Sequence, residues 1–254
     1  DDFDHAGISI EELQERLQEL GSERPPFESF VTSEWLIGWY SRFALGKFVD
    51  QTSAACSFDS PEFSAALQMC KDWGQSGGTE TLGQRCVLEF ENIQDIIRIG
   101  TIGELYHDNY CYVGFPTSSG NGSMFELLSC FAISAQGDKQ EAAWEFIRFA
   151  LGNLQPDGLL GVGIPASQSA LDERLQFLIE TGQTFLEFTH KIKPSDADAF
   201  RALIENTSMV ENSEQGILKI ITDESVSFFT GSKTASEAAA LIQNRVQLYL
   251  MENR

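Results

Sequence analysis

Apolar side chains recur at helical spacing along much of the chain. Ser9 with Glu12 forms a capping box that starts the first such stretch. Ser60 as N-cap with Pro61 at the first helical position starts another, and Thr234 with Glu237 starts the last. The pattern predicts helices at residues 9–20, 60–74, 93–99, 139–151, 171–179, 195–205, 216–229 and 234–249.

Strand-like stretches are fewer and shorter. Apolar runs at residues 85–90 and 127–134 predict strands, and Pro116 ends a further apolar run at 112–115. Short strands separated by helices are typical of α/β proteins. We therefore expect a helix-rich α/β fold.

The predicted helix 139–151 is apolar around most of its circumference. Only Glu141, Glu145 and Arg148 form a polar stripe, so the helix is expected to be covered on most sides. Trp144 on this helix and Trp73 on the predicted helix 60–74 are both expected to pack in a core.

The order of several segments is similar to that of a known family. The segments are VGFPT, a Gly-rich turn, FAIS, EAAWEFIRFAL, GIPA and the tail DESVSFFTGSKTASEAAALIQNRVQLYL. This order resembles the extracellular solute-binding proteins, family 1, of bacterial ABC importers, the maltose-binding-like group. The resemblance implies periplasmic-binding-protein-like lobes in which short strands are flanked by helices, and it covers most of the chain.

The resemblance also implies how the chain divides into lobes. Residues 1–122 and 171–254 would form the carboxy-terminal lobe, and residues 123–170 the crossing segment and a remnant of the amino-terminal lobe. The first part of that amino-terminal lobe has no counterpart in the sequence. Because the chain opens on Asp1, a processed or trimmed protein is expected.

Composition narrows the possible partners. The formal net charge of −21 would repel phosphate backbones and anionic lipid, so nucleic acid is excluded as a partner. No run of about 18 apolar residues occurs, which excludes a membrane span. The five cysteines are odd in number and have no CxxC spacing, so a disulfide framework is not expected, and most of them lie in apolar runs, where a free cysteine behaves as a small hydrophobic residue.

The sequence contains no pattern that predicts catalysis, a metal or a cofactor. The three histidines are scattered, and no HExxH or GxSxG motif is present. Gly231-Ser232-Lys233-Thr234 lacks the glycines of a phosphate loop. Asp196-Ala197-Asp198 lacks the glycine and the terminal glutamate of a calcium loop. We therefore expect a protein that is not an enzyme and holds no cofactor or metal.

A set of aromatic and polar residues is instead typical of a ligand-binding cleft. The candidates are Glu34, Trp35, Trp39, Glu91, Asn92 and Ser129. Sugar C–H faces stack on tryptophan while hydroxyls bond to carboxylates and amides, and Glu91 and Asn92 follow a predicted strand, where α/β sheets place ligands. The resemblance implies Glu34, Trp35, Glu91, Asn92 and Ser129 with its neighbour Leu128, but not Trp39. The tryptophan that sugar-binding members often carry after the strand that contains FAIS is missing. Trp35 remains a candidate for either the ligand site or the core.

These observations predict a carbohydrate-binding protein that delivers its ligand to an ABC permease without altering it. The resemblance implies an extracellular protein, tethered to the surface of a bacterium as a lipoprotein. Two alternatives remain open. One is an interaction or sensor module derived from a solute-binding lobe, and the other is an enzyme of unrecognised type.

Overall fold

The computed structural model describes residues 7–20, 27, 30–74, 86–94, 96–106, 110–117, 122–127, 130–152, 163–185, 188–211 and 214–253. In these ranges the chain forms nine helices and six short strands. The prediction of a helix-rich chain with few short strands is therefore confirmed.

The helices are α1 (Ile10–Leu20), α2 (Ser33–Phe48), α3 (Pro61–Gly74), α4 (Ile97–Tyr106), α5 (Gln140–Gly152), α6 (Gln168–Glu180), α7 (Pro194–Asn206), α8 (Gln215–Phe229) and α9 (Ala235–Glu252). The strands are β1 (Val49–Asp50), β2 (Ala55–Cys56), β3 (Met124–Phe125), β4 (Gln183–Phe185), β5 (Phe188–His190) and β6 (Met209–Val210). Three two-stranded pairs result: β1–β2 and β4–β5 are antiparallel, and β3–β6 is parallel.

The chain divides into two compact units. The first, which we call the α2/α8 unit, comprises Gly7–Phe90, Val113–Gly122 and Glu211–Arg254. The second, the α4/α7 unit, comprises Glu91–Tyr112 and Ser123–Val210. In the lobes expected from the resemblance, residues 171–210 belong with residues 211–254. In the structure, residues 171–210 belong with residues 123–170. The assignment to lobes stays a prediction.

Aromatic rings fill the core of the α2/α8 unit. Helix α2 packs against α3 and α8, and α9 packs against α8 and α3. At the centre, the rings of Phe48, Phe58 and Phe63 lie within 5.5 Å of one another, centroid to centroid. Trp73 is 7% exposed, which confirms its predicted place in the core.

Aliphatic side chains fill the core of the α4/α7 unit. Its buried cluster joins α4, α6 and α7 with the segment after β5, and it consists of Ile96, Ile99, Leu171, Leu175, Leu178, Ile192, Ala197 and Phe200. None of the helices in the described part of the chain combines the length and the apolar character needed to cross a membrane.

The predicted burial of α5 is wrong. Ile147 is buried, but Trp144, Phe146 and Phe149 are 51%, 62% and 64% exposed. Trp144 is therefore not a core residue. The apolar pattern predicted that most sides of the helix would be covered, whereas the structure covers the side of Ile147 and leaves both flanks open.

Two predicted strands are also wrong. Residues 86–90 and the described residues of 127–134 are not strand, and β3 lies just before the second of these runs. Both runs are apolar enough for a strand, but a strand also needs a partner to pair with. Phe90 instead packs its ring against Phe27, 5.4 Å away.

Candidate ligand-binding site

Helix α2 carries the three candidates nearest the start of the chain. Thr32 caps it, since its side-chain oxygen accepts a hydrogen bond from the backbone N–H of Trp35 at 3.2 Å. Glu34 lies in the first turn, where a negative charge favours the helix. Because the helix buries Leu36, Ile37 and other apolar residues against α3 and α8, its remaining face is left partly open.

Three aromatic side chains follow one another along this open face. Trp35, Trp39 and Phe43 stand four residues apart and so lie on one side of the helix. Ring centroids are 5.4 Å apart for Trp35 and Trp39 and 6.4 Å apart for Trp39 and Phe43. All three are partly exposed. We call this row the α2 platform.

Two further rings pack against the α2 platform. Phe90 meets Trp35 edge to face at 4.3 Å, and Phe115 stacks on Phe43 at 5.1 Å with an angle of 13° between the rings. Packing of this kind fixes the orientation of the platform rings before any ligand arrives, which limits the entropy lost on binding.

Arg42 adds a polar group at the edge of the α2 platform. Its guanidinium carbon lies 4.9 Å from the centroid of the Trp39 ring, within the range of a cation–π contact. Its Nη1 also donates to Oε1 of Glu211 at 2.5 Å. The guanidinium is thus held between an aromatic face and a carboxylate.

An open groove of about 300 Å³ lies beside Arg42, between α2 and α8. We call it the α2–α8 groove. Its lining residues are Gly38, Arg42, Gln215, Leu218, Lys219, Thr222 and Asp223. The volume is at the lower end of those that hold small ligands.

Two other candidates, Glu91 and Asn92, lie in the α4/α7 unit. Glu91 accepts two hydrogen bonds from Arg98, one of them from Nε at 3.1 Å. Asn92 donates to Oε2 of Glu126 at 3.4 Å. Since residues 86–90 are not a strand, Glu91 and Asn92 do not lie at a strand's carboxyl end as predicted, and their role in binding stays a prediction.

The remaining candidate, Ser129, lies outside the described residues, as does its neighbour Leu128. The structure therefore brings Trp35 and Trp39 into ring contact, places Glu34 on the same helix, and places Glu91 and Asn92 together in the other unit.

Sequence reasoning missed Arg42, Phe43 and the residues of α8. The signal for Phe43 was present, because it continues the four-residue spacing of Trp35 and Trp39. Arg42 and Glu211 are separated by 169 positions, and no local pattern predicts such a pair.

Burial shifts the pKa values of several titratable groups in the α2/α8 unit. Burial raises the pKa of the Cys56 thiol to about 11 and also raises that of Cys70. Burial raises the pKa of the Tyr40 hydroxyl to about 12. Such groups stay protonated near neutral pH, so they are poor nucleophiles and poor general bases.

In the described ranges, no three histidine, cysteine or acidic side chains form a group that could hold a metal ion. The α2 platform offers aromatic faces for stacking and the indole N–H groups of Trp35 and Trp39 as hydrogen-bond donors to a ligand.

Compared with models of protein families the chain matches none, and no curated protein matches it.

Proposed function

We propose that this chain is a non-catalytic solute-binding protein whose carbohydrate ligand stacks on the α2 platform. The observation that carries the proposal is the row of partly exposed rings, Trp35, Trp39 and Phe43, on a helix that is held by the buried side chains of its opposite side. Pyranose rings present flat C–H faces that suit such a row. The guanidinium of Arg42 and the carboxylate of Glu211 supply donors and acceptors for hydroxyl groups at its edge.

The transport role is part of the same proposal and comes from the segment order of the sequence. On this proposal the chain forms periplasmic-binding-protein-like lobes, with residues 1–122 and 171–254 in the carboxy-terminal lobe, and the liganded protein is presented to an ABC permease. Ligand binding would act by shifting the balance between conformations that the permease distinguishes. The protein would work outside the cell, tethered to a bacterial surface. Glu34, Glu91, Asn92 and Ser129 remain proposed ligand contacts.

A thermal-shift screen over sugars, oligosaccharides, amino acids and peptides tests the binding function. A ligand that binds only the folded protein raises the unfolding midpoint by mass action. A stabilising oligosaccharide supports the proposal. A screen in which only amino acids or peptides stabilise the protein contradicts the carbohydrate assignment.

Trp39→Ala is expected to weaken binding of the oligosaccharide found in the screen by roughly tenfold or more, because it removes the central ring of the α2 platform. Isothermal titration calorimetry measures the change in Kd. Trp144→Ala is the matched control, since it removes an exposed tryptophan from α5 in the other unit. Equal Kd values for Trp39→Ala and the unmodified protein would exclude the α2 platform as the site.

One observation favours a second candidate function, an interaction or sensor module that presents a surface to a partner. Phe146 and Phe149 are exposed on α5, and Phe131 meets Phe146 edge to face at 6.4 Å. We call these three residues the α5 patch. Exposed apolar patches on folded proteins often mark interaction sites.

Replacing Phe146 and Phe149 together by serine tests this second function. If the α5 patch mediates association, the double variant is expected to lose any concentration-dependent increase in mass measured by light scattering, while its secondary structure is unchanged. The same loss in the Trp144→Ser variant, which changes another exposed aromatic residue of α5, would mean that the contact is not confined to the α5 patch. Solute binding with unaltered mass in all variants would favour the transport role instead.

A further inference from the structure

The α2–α8 groove begins where the α2 platform ends. Arg42 belongs to both, because its guanidinium lies over Trp39 and also lines the groove. Gly38 stands four residues before Arg42 and so lies on the same side of α2. A ligand that lies along Trp39 can therefore extend past Arg42 into the groove.

The groove is open because position 38 has no side chain. A Cβ placed at Gly38 would meet its nearest neighbour, Oγ1 of Thr222, only at 3.9 Å. The volume of the groove, about 300 Å³, suits a small ligand better than a long chain. It can thus accept one ring of a ligand whose other rings lie on the α2 platform.

The charged side chains that line the groove form ion pairs. Arg42 bonds to Glu211 at 2.5 Å, and Lys219 bonds to Asp223 at 2.9 Å. An anionic ligand would have to place its charge beside Glu211 or Asp223, in a chain whose formal net charge is −21. A cationic ligand would have to place its charge beside Arg42 or Lys219, which repel it.

Hydrogen-bonding capacity nevertheless remains in the groove. A guanidinium has five N–H donors and a carboxylate about four acceptor positions, so an ion pair can bond hydroxyl groups without being broken. Thr222 gives its own hydrogen to the backbone oxygen of Leu218 at 3.0 Å, which leaves its oxygen to accept. The amide of Gln215 supplies both a donor and an acceptor.

We infer that the ligand is an uncharged oligosaccharide and that the α2–α8 groove is a second subsite for one of its rings. This inference rests on the proposed function, because it extends the binding surface of the α2 platform. The two paired ions and the neutral groups of Gln215 and Thr222 favour hydroxyl groups over carboxylates or ammonium groups.

The choice of ligand class is tested with matched trisaccharides in calorimetry. The neutral probes are maltotriose, cellotriose, xylotriose and triacetylchitotriose, and the charged probes are trigalacturonic acid and the trimer of glucosamine. We expect a neutral probe to bind and the charged probes to bind roughly tenfold or more weakly. A charged probe that binds best, and loses affinity in Trp39→Ala, overturns this inference but leaves the proposed function standing. An affinity that is unchanged in Trp39→Ala overturns both this inference and the proposed function.

The place of the subsite is tested with the two glycines of α2. Gly38→Leu fills the groove. Gly46→Leu makes the same change in the same helix, at a position where an added Cβ would meet no atom within 4 Å. Both changes improve helix propensity, and the unfolding midpoint of each variant checks that lost binding does not reflect unfolding.

We expect Gly38→Leu to weaken binding of the neutral trisaccharide by roughly tenfold or more and Gly46→Leu to leave it unchanged. Equal affinities of the two variants for the trisaccharide would overturn the subsite, whereas loss of binding in Trp39→Ala alone would still support the α2 platform.

Discussion

Replacing Phe63 by alanine is expected to destabilise the α2/α8 unit by roughly 3–5 kcal/mol. The Phe63 side chain is fully buried, and its ring lies 5.2 Å from that of Phe48 and 4.9 Å from that of Phe58. Removing it leaves a cavity between two large rings and the rigid helices α2 and α3, which cannot collapse to fill it. Both the lost burial and the cavity lower the free energy of unfolding.

Denaturant unfolding followed by tryptophan fluorescence measures this change. Trp35, Trp39 and Trp73 all lie in the α2/α8 unit, whereas Trp144 lies in the other. In a Trp144→Phe background the signal therefore reports the α2/α8 unit alone, which matters because a chain of two units need not unfold in one step.

Phe30→Ala is the matched control for this measurement. It removes the same ring from the same unit, but Phe30 is 51% exposed and is expected to contribute about 1 kcal/mol or less. Equal losses in the two variants would mean that the cluster of Phe48, Phe58 and Phe63 is not the centre of the core.

Most of the helices could be predicted from the sequence because their start signals are local, but α2 is not among the predicted helices and α4 begins at Ile97 rather than at residue 93. Ser60 accepts a hydrogen bond from the backbone N–H of Phe63 at 3.2 Å, as its position before Pro61 indicates. Thr234 and Glu237 bond to each other's backbone N–H groups, at 3.3 Å and 2.7 Å, which confirms the predicted capping box. Signals of this kind lie within four residues and do not depend on the rest of the fold.

The strands could not be predicted in the same way. β3 pairs with β6 in parallel, Met124 opposite Met209, although these residues are far apart in the chain. An apolar run shows only that a segment could pair, and the choice of partner depends on packing elsewhere. Residues 86–90 form no strand for this reason, even though their composition is typical of one.

Only part of the candidate site was predictable. The spacing of Trp35 and Trp39 shows that they share one side of a helix, and their contact follows from that spacing. Which side of the helix stays open depends on where α3 and α8 pack, which no local pattern contains. The same holds for α5, where the apolar pattern could not show which flanks would be covered.

Gly216→Ala is expected to destabilise the α2/α8 unit by roughly 1–3 kcal/mol, although alanine is normally the better helix former. A Cβ at position 216 would lie 2.5 Å from both Cζ and Oη of Tyr249, where α8 meets α9. The Tyr249 hydroxyl donates to Oε2 of Glu214 at 3.2 Å, which holds the ring in place. The new methyl group therefore forces either the ring or the helix to move.

The cause of this loss can be isolated with a double-mutant cycle. In a Tyr249→Ala background the clash is absent, so the same Gly216→Ala change should stabilise the protein by about 0.5–1 kcal/mol, the ordinary gain from replacing a glycine inside a helix. Denaturant midpoints of the four proteins give the comparison. A loss of the same size in both backgrounds would show that the Tyr249 ring is not what excludes a side chain, and that the close contact between α8 and α9 does not depend on this glycine.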